Sequence, residues 1–225
     1  MQYRRLVYVV VLFALFGSLS LHAAEGDVLD KIGVKIQQYP VIRADFTQTK
    51  QMPALKRPLV TTGQLTFSRD DGVLWQIFQP YRMSYILGED KIIEIDANGI
   101  RKEKGMRDVP GLAQIGRVFR AMLGADTSAL RSYFDISTHV GTQGETDKWQ
   151  LLLKPRQSPL SKALSAIELS GSQFVESIIS HETSGDTTTL RFNHTQGVPA
   201  LSDVESQLFG KSTTSIPAIS KQSAP

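Results

Sequence analysis

The chain has 225 residues, a formal charge of +3 and no cysteine. The length suits one ordinary domain with a substantial core, and the missing cysteine excludes disulfides, a thiol nucleophile and a lipidated cysteine at a mature N-terminus. Arg4 and Arg5 lie in a segment read below as a leader; without them the charge falls to +1, so the basic balance argues neither for nucleic acid nor for an anionic membrane surface.

Met1 to Arg5 is short and basic, and Leu6 to Leu21 is an almost unbroken apolar run of 16 residues followed by His22-Ala23-Ala24. This three-part pattern predicts a secretory signal peptide over 1–23. The run falls short of the ~20 residues that cross a bilayer comfortably, which, with the small residues at 23 and 24, disfavours an uncleaved anchor. Removing 23 residues leaves 202, and places the protein outside the cytoplasm.

Val28, Leu29, Ile32, Ile36 and Tyr39 are spaced for an amphipathic helix that Pro40 ends. From Val41 the period becomes two: Ile42, Ala44 and Phe46 alternate with Arg43, Asp45 and Thr47. Strand-like runs follow at Gly63–Ser68, Val73–Gln79, Met83–Leu87, Lys91–Asp96 and Ile100–Lys104, separated by turn signals such as Asp70-Asp71-Gly72, Gly88-Glu89-Asp90 and Asn98-Gly99. The meander breaks once, where Leu112, Ile115, Phe119, Met122 and Leu123 share a helical face and Asp126 can cap a second short helix. Strands resume at Tyr133–Val140, Lys148–Lys154, Leu164–Ser170, Phe174–His181 and Thr187–Asn193. One domain is expected over 24–209, with a disordered Ser/Thr/Pro/Lys tail over 210–225.

Short strands joined by hairpin-length turns predict a mainly β fold with inserted helices. A sheet this long curls, and helices seek a surface for their apolar stripe. The expected architecture is an unclosed antiparallel β-barrel, or half-barrel, enclosing an apolar cavity under an α-helical lid. Leu65, Phe67, Trp75, Ile77, Met83 and Tyr85 are the candidate cavity lining, with Leu112, Ile115, Phe119 and Met122 on the lid. Register decides which side chains face inward, because a slip of one residue inverts a strand's faces.

Signals for catalysis are missing. No G-x-S-x-G elbow and no phosphate-binding glycine loop is present. His181-Glu182 begins like a zinc-binding HExxH, but position 185 is glycine, so no metal site and no cofactor are expected. Asp70-Asp71 and Glu89-Asp90 sit in turns, where carboxylates serve local hydrogen bonds. The chain reads as a non-enzyme.

Val41 to Asp96 resembles the LolA family of periplasmic outer-membrane lipoprotein carriers. Ile42-Arg43-Ala44-Asp45-Phe46-Thr47-Gln48 is similar to the family's F-x-A-x-F-x-Q opening strand, and Gly63-Gln64-Leu65, Arg69, Trp75 and Gln79-Pro80 follow in the family's order. The helices at 111–132, the turn at Leu153-Lys154-Pro155 and the closing strand Leu190-Arg191-Phe192-Asn193 extend the likeness over about 25–205. The resemblance implies a periplasmic, monomeric carrier whose cavity takes lipoprotein acyl chains from an inner-membrane ABC complex and delivers them to an outer-membrane receptor. It also implies that Arg69 latches the lid through helix backbone. Two positions depart from the family: its proline after that arginine is Asp70, and its aromatic in the loading region is Val73. A specialised paralogue for another amphiphile, such as a glycolipid or polyene lipid, and a lipid-responsive interaction module therefore stay open as alternatives.

Overall fold

The computed structural model describes the backbone of residues 22–105, 110–140 and 148–211, and the side chains of 29–105, 116–138 and 148–211. The leader expected at 1–23 and the tail expected at 210–225 fall almost wholly outside the described residues. The chain order is α1 (His22–Gln37), β1 (Val41–Gln51), β2 (Leu59–Ser68), β3 (Gly72–Gln79), β4 (Met83–Leu87), β5 (Lys91–Asp96) and β6 (Arg101–Gly105). Then come α2 (Pro110–Leu123), α3 (Thr127–Tyr133), β7 (Phe134–Val140), β8 (Trp149–Pro155), α4 (Leu160–Ala163), β9 (Leu164–Gly171), β10 (Val175–Glu182), β11 (Thr187–Val198) and α5 (Asp203–Phe209).

Helix α1 buries Leu29, Ile32 and Ile36 at helical spacing and exposes Val34. In β1 the period-two pattern holds: Ile42, Ala44 and Phe46 are buried while Asp45 faces water. Asp126 caps α3, its carboxylate accepting from the Ala129 N–H at 2.9 Å. The Asn98-Gly99 turn closes β5 onto β6, with Gly99 at φ +79 and its N–H bonded to the Asp96 carbonyl.

All eleven strands form a single antiparallel sheet in the order β6-β5-β4-β3-β2-β1-β11-β10-β9-β8-β7. Pairing of β1 with β11, Ile42 opposite Gly197 and Phe46 opposite Phe192, joins the two meanders. The sheet does not close, since β6 and β7 stand at opposite edges. It must nevertheless curl. Seven steps separate β5 from β9, roughly 34 Å in a flat sheet at ~4.8 Å per strand, yet Ile92 and Ile167 line one cavity. The expected half-barrel is thus the observed fold.

The inner face packs against the helices in one core that contains Ile32 and Ile36 of α1, Val118 and Met122 of α2, Leu130 of α3 and Leu160 of α4. The outer face carries a second, smaller core of Leu74, Ile86 and Ile93, packed against Leu208 and Phe209 of α5. Neither α4 nor α5 was expected from the sequence. Ser202 and Glu205 form a capping box at the start of α5, and Gly210 ends it in the left-handed region at φ 86. Glu205 is buried against the sheet, accepting from Arg43 Nε (2.6 Å), from the Thr66 hydroxyl (2.8 Å) and from the Ser202 N–H (2.7 Å). Burial pushes its carboxyl up, but these bonds outweigh burial and hold it at about 2.

Candidate functional site

Between the inner face and the helices lies a cavity of about 810 Å³. That is near the upper end of the range for small-molecule sites, ~300–1,000 Å³. Trp75 of β3, Tyr85 and Leu87 of β4 and Ile92 of β5 form one wall; Ile167, Ile178 and Leu190 form the other. Val118, Phe119 and Met122 of α2, with Leu160 and Ala163 of α4, cover it. Period two in the strands and period 3.6 in α2 together aim these side chains at one space.

The lining is apolar with polar groups at its margins: Gln48, Glu94, Ser180, Glu182 and Thr188. Glu182 is occupied by Lys50 at 2.8 Å, which also pairs with Asp186 at 3.2 Å. Glu94 pairs with Lys104 at 3.2 Å. The Tyr85 hydroxyl is pushed up, first by burial and then by Tyr81 and Glu94 beside it, so it stays a neutral hydrogen-bonding group.

An aromatic ladder ties α2 to the sheet. Phe46 stacks on Trp75 with centroids 3.9 Å apart, and Trp75 meets the edge of Phe119 at 5.6 Å. A second tie is polar. Arg69 donates from Nη2 to the Ile36 carbonyl (2.9 Å), from Nε to that of Tyr39 (3.0 Å) and from Nη1 to that of Gly124 (3.3 Å). Ile36 is in the last turn of α1, Tyr39 lies two residues beyond it, and Gly124 directly follows α2. Carbonyls at a helix end lack intrahelical partners and carry the negative pole of the macrodipole, so one guanidinium fork joins the ends of two helices to the sheet. Burial lowers the Arg69 pKa, while the charges of Asp126 and Asp70 oppose that shift. All three guanidinium nitrogens face carbonyls, so Asp70 acts on Arg69 through its field and leaves those bonds intact.

The structure divides the expected site residues. Trp75, Tyr85, Phe119 and Met122 line the cavity together. Leu65, Phe67 and Ile77 face the same side of the sheet but are consumed by packing in the main core, and Met83 packs against its edge. Leu65 and Phe67 share a gap of only about 10 Å³ with Ile36 and Leu123, and Phe67 also borders a separate cleft of about 500 Å³ with Arg69, Arg120 and Gly124. Val73 is 0 % exposed, so its side chain offers no surface to a loading partner. The side chains of Leu112 and Ile115 lie outside the described ones. The second wall and α4 were missed; Ile167 and Leu169, and Leu190 and Phe192, carried a period-two signal that could have found the wall.

Among the described residues no helix is long and apolar enough to cross a membrane, a statement that leaves strand-built spans aside. Among solved structures the chain is similar to a LolA superfamily protein, NE2245 from Nitrosomonas europaea, at 8% identity and TM-score 0.45, covering 80% of this chain and 96% of that one. It is similar to the Pseudomonas aeruginosa MucA/MucB complex at 13% identity and TM-score 0.44, covering 81% of this chain and spanning only 60% of that one. The Mycobacterium tuberculosis lipoprotein LppX matches at 8% identity and TM-score 0.43, covering 78% of this chain and 97% of that one. No curated protein matches the chain. The profile of the family described as "Outer membrane lipoprotein carrier protein LolA-like" matches residues 22–195. With the open eleven-stranded sheet and the helix-covered apolar cavity in place, the chain belongs to this LolA-like family of carrier and binding proteins.

Proposed function

We propose that the protein is a periplasmic carrier that shields the acyl chains of lipoproteins in its cavity and moves them from the inner to the outer membrane. The cavity bounded by Trp75, Tyr85, Phe119 and Met122 carries this reading. An exposed acyl chain costs ~0.8 kcal/mol per methylene in water, so a carrier between two membranes needs an apolar container of this kind. The polar margin suits the head of an amphiphile whose tail lies inside. The signal peptide over 1–23 delivers the chain to the periplasm, an inner-membrane ABC complex loads it, and an outer-membrane receptor unloads it. One-to-one transfer needs no symmetry, so the carrier works as a monomer. No catalytic step is assigned, and Arg69 serves as the latch that opens for loading.

Phe119→Glu tests the reading. A carboxylate at the centre of the cavity roof opposes acyl binding, whereas Phe119 is only partly buried, so the fold tolerates the change. A fluorescent fatty-acyl probe is expected to bind the parent chain and to bind the variant at least tenfold more weakly, with an unchanged far-ultraviolet circular dichroism spectrum. Equal probe binding by a folded variant removes α2 from the site and refutes the proposal.

A further inference from the structure

The antiparallel meander sends alternate turns to opposite ends of the sheet, and the two ends differ in chemistry. At one end lie the β2–β3 turn, Arg69-Asp70-Asp71, and the β4–β5 turn, Gly88-Glu89-Asp90. At the other end lie the β1–β2 hairpin, the β3–β4 turn and the β5–β6 turn. Six of the eight exposed large hydrophobic residues among the described ones gather there: Leu55, Leu59, Val60, Phe78, Tyr81 and Ile100, each between 44% and 57% exposed. The β1–β2 hairpin projects furthest, because Thr62 is already opposite Gln79 at the end of β3 while Leu59 and Val60 continue alongside Lys50 and Thr49.

Charge at this end is divided between two places: the acidic groups sit at Glu182, Asp186 and Asp96, and the basic ones on the β1–β2 hairpin and the β3–β4 turn. Lys50 is taken up by Glu182 and Asp186, and Asp96 accepts from the Asn98 and Ile100 N–H groups of its own turn. Lys56, Arg57 and Arg82 are exposed, and among the described residues none of them has an ion-pair partner. Whole-chain charge conceals this clustering. Exposed apolar residues gathered into a patch mark an interaction surface, and aliphatic and tyrosine side chains interleaved with uncompensated basic groups match the boundary between phosphate headgroups and acyl chains. Tyr81 lies in the turn that leads into β4, whose Tyr85 lines the cavity.

We infer that the hairpin end of the sheet, led by Leu55, Lys56, Arg57 and Tyr81, docks the protein reversibly on an anionic phospholipid surface. This goes beyond the carrier reading and does not require any particular cargo. The test is co-sedimentation of the processed chain with vesicles of phosphatidylethanolamine and phosphatidylglycerol, against vesicles of phosphatidylcholine alone, at low and high salt. Binding is expected on the anionic vesicles and should weaken with salt. Each basic group contributes about fivefold, so the Lys56→Glu/Arg57→Glu double variant is expected to bind at least tenfold more weakly. Leu55→Asp and Tyr81→Asp, both at exposed sites, are expected to weaken it while leaving fatty-acyl probe binding in the cavity unchanged. Equal sedimentation of parent and variants, or none of the parent with anionic vesicles, overturns the docking inference. If the parent ignores vesicles yet binds the probe, docking falls and the carrier reading stands; if vesicle binding depends on Leu55 and the probe never binds, the reverse holds.

Discussion

Replacing Arg69 with leucine keeps an apolar side chain but removes the guanidinium, with its place 5.9 Å from the centre of the Phe67 ring and its three bonds to Ile36, Tyr39 and Gly124. A hydrogen bond from a charged donor contributes ~1.5–3 kcal/mol, and these three share one half-buried group whose acceptors can regain water as the helix ends lift. A net cost of about 3 kcal/mol follows, concentrated on lid opening, which corresponds to roughly a 150-fold shift in the open population. Amide hydrogen exchange reads this directly. Protection at residues 116–123 of α2 should fall by about two orders of magnitude, while the amides of β1 paired between β2 and β11 fall much less. Arg69→Lys should recover only part of the loss, since one ammonium cannot face three carbonyls in a fixed fork. Unchanged exchange in α2, or an equal loss throughout β1, would refute the assignment of Arg69 as a local latch.

Glu205 supplies a pH prediction. Its folded pKa of about 2 lies below its ordinary 4.5, so its contribution is complete above pH 4.5 and is lost as pH falls toward 2. About 3 kcal/mol rides on this group, of which about 2 kcal/mol is gone at pH 3. Urea unfolding at pH 6 and pH 3 should show that loss in the parent chain and a flatter response in Glu205→Gln; identical acid slopes would contradict it. Gly63→Ala is expected to cost about 3 kcal/mol by thermal unfolding, because a Cβ there would lie 1.8 Å from the Gln76 carbonyl oxygen and 2.9 Å from the Phe46 ring, where β2 and β3 shift register. A variant as stable as the parent would show that the backbone can separate at this point.

The sheet was legible because its signals are local. Met83–Leu87 and Lys91–Asp96 are bounded by turn residues on both sides, and both strands occupy the residues that the alternation predicts. The helix over the cavity was legible from the spacing of Phe119 and Met122, and the resemblance to the family singled out Arg69, whose latch role is part of the proposal. Cavity lining was only half legible. Period two shows that Leu65, Phe67, Trp75 and Ile77 share a face, yet not which of them the helices cover; that depends on where α1 and α2 end, which Arg69 fixes from 30 or more residues away along the chain. Helix α5 escaped because Asp203–Phe209 is too short for periodicity to speak, although Ser202 and Glu205 stand at capping-box spacing. Its apolar partners Leu74, Ile86 and Ile93 face outward, where an inward-only reading of the sheet finds no use for them.

The most direct test of the central claim is native mass spectrometry of the processed chain purified from the periplasm without detergent, followed by lipid and protein analysis of whatever leaves the cavity. The carrier account predicts an acylated lipoprotein bound one-to-one and displaced by a fatty-acyl competitor. A different amphiphile in that stoichiometry would keep the container and change the cargo, whereas an empty cavity with a stably retained partner protein would contradict the account.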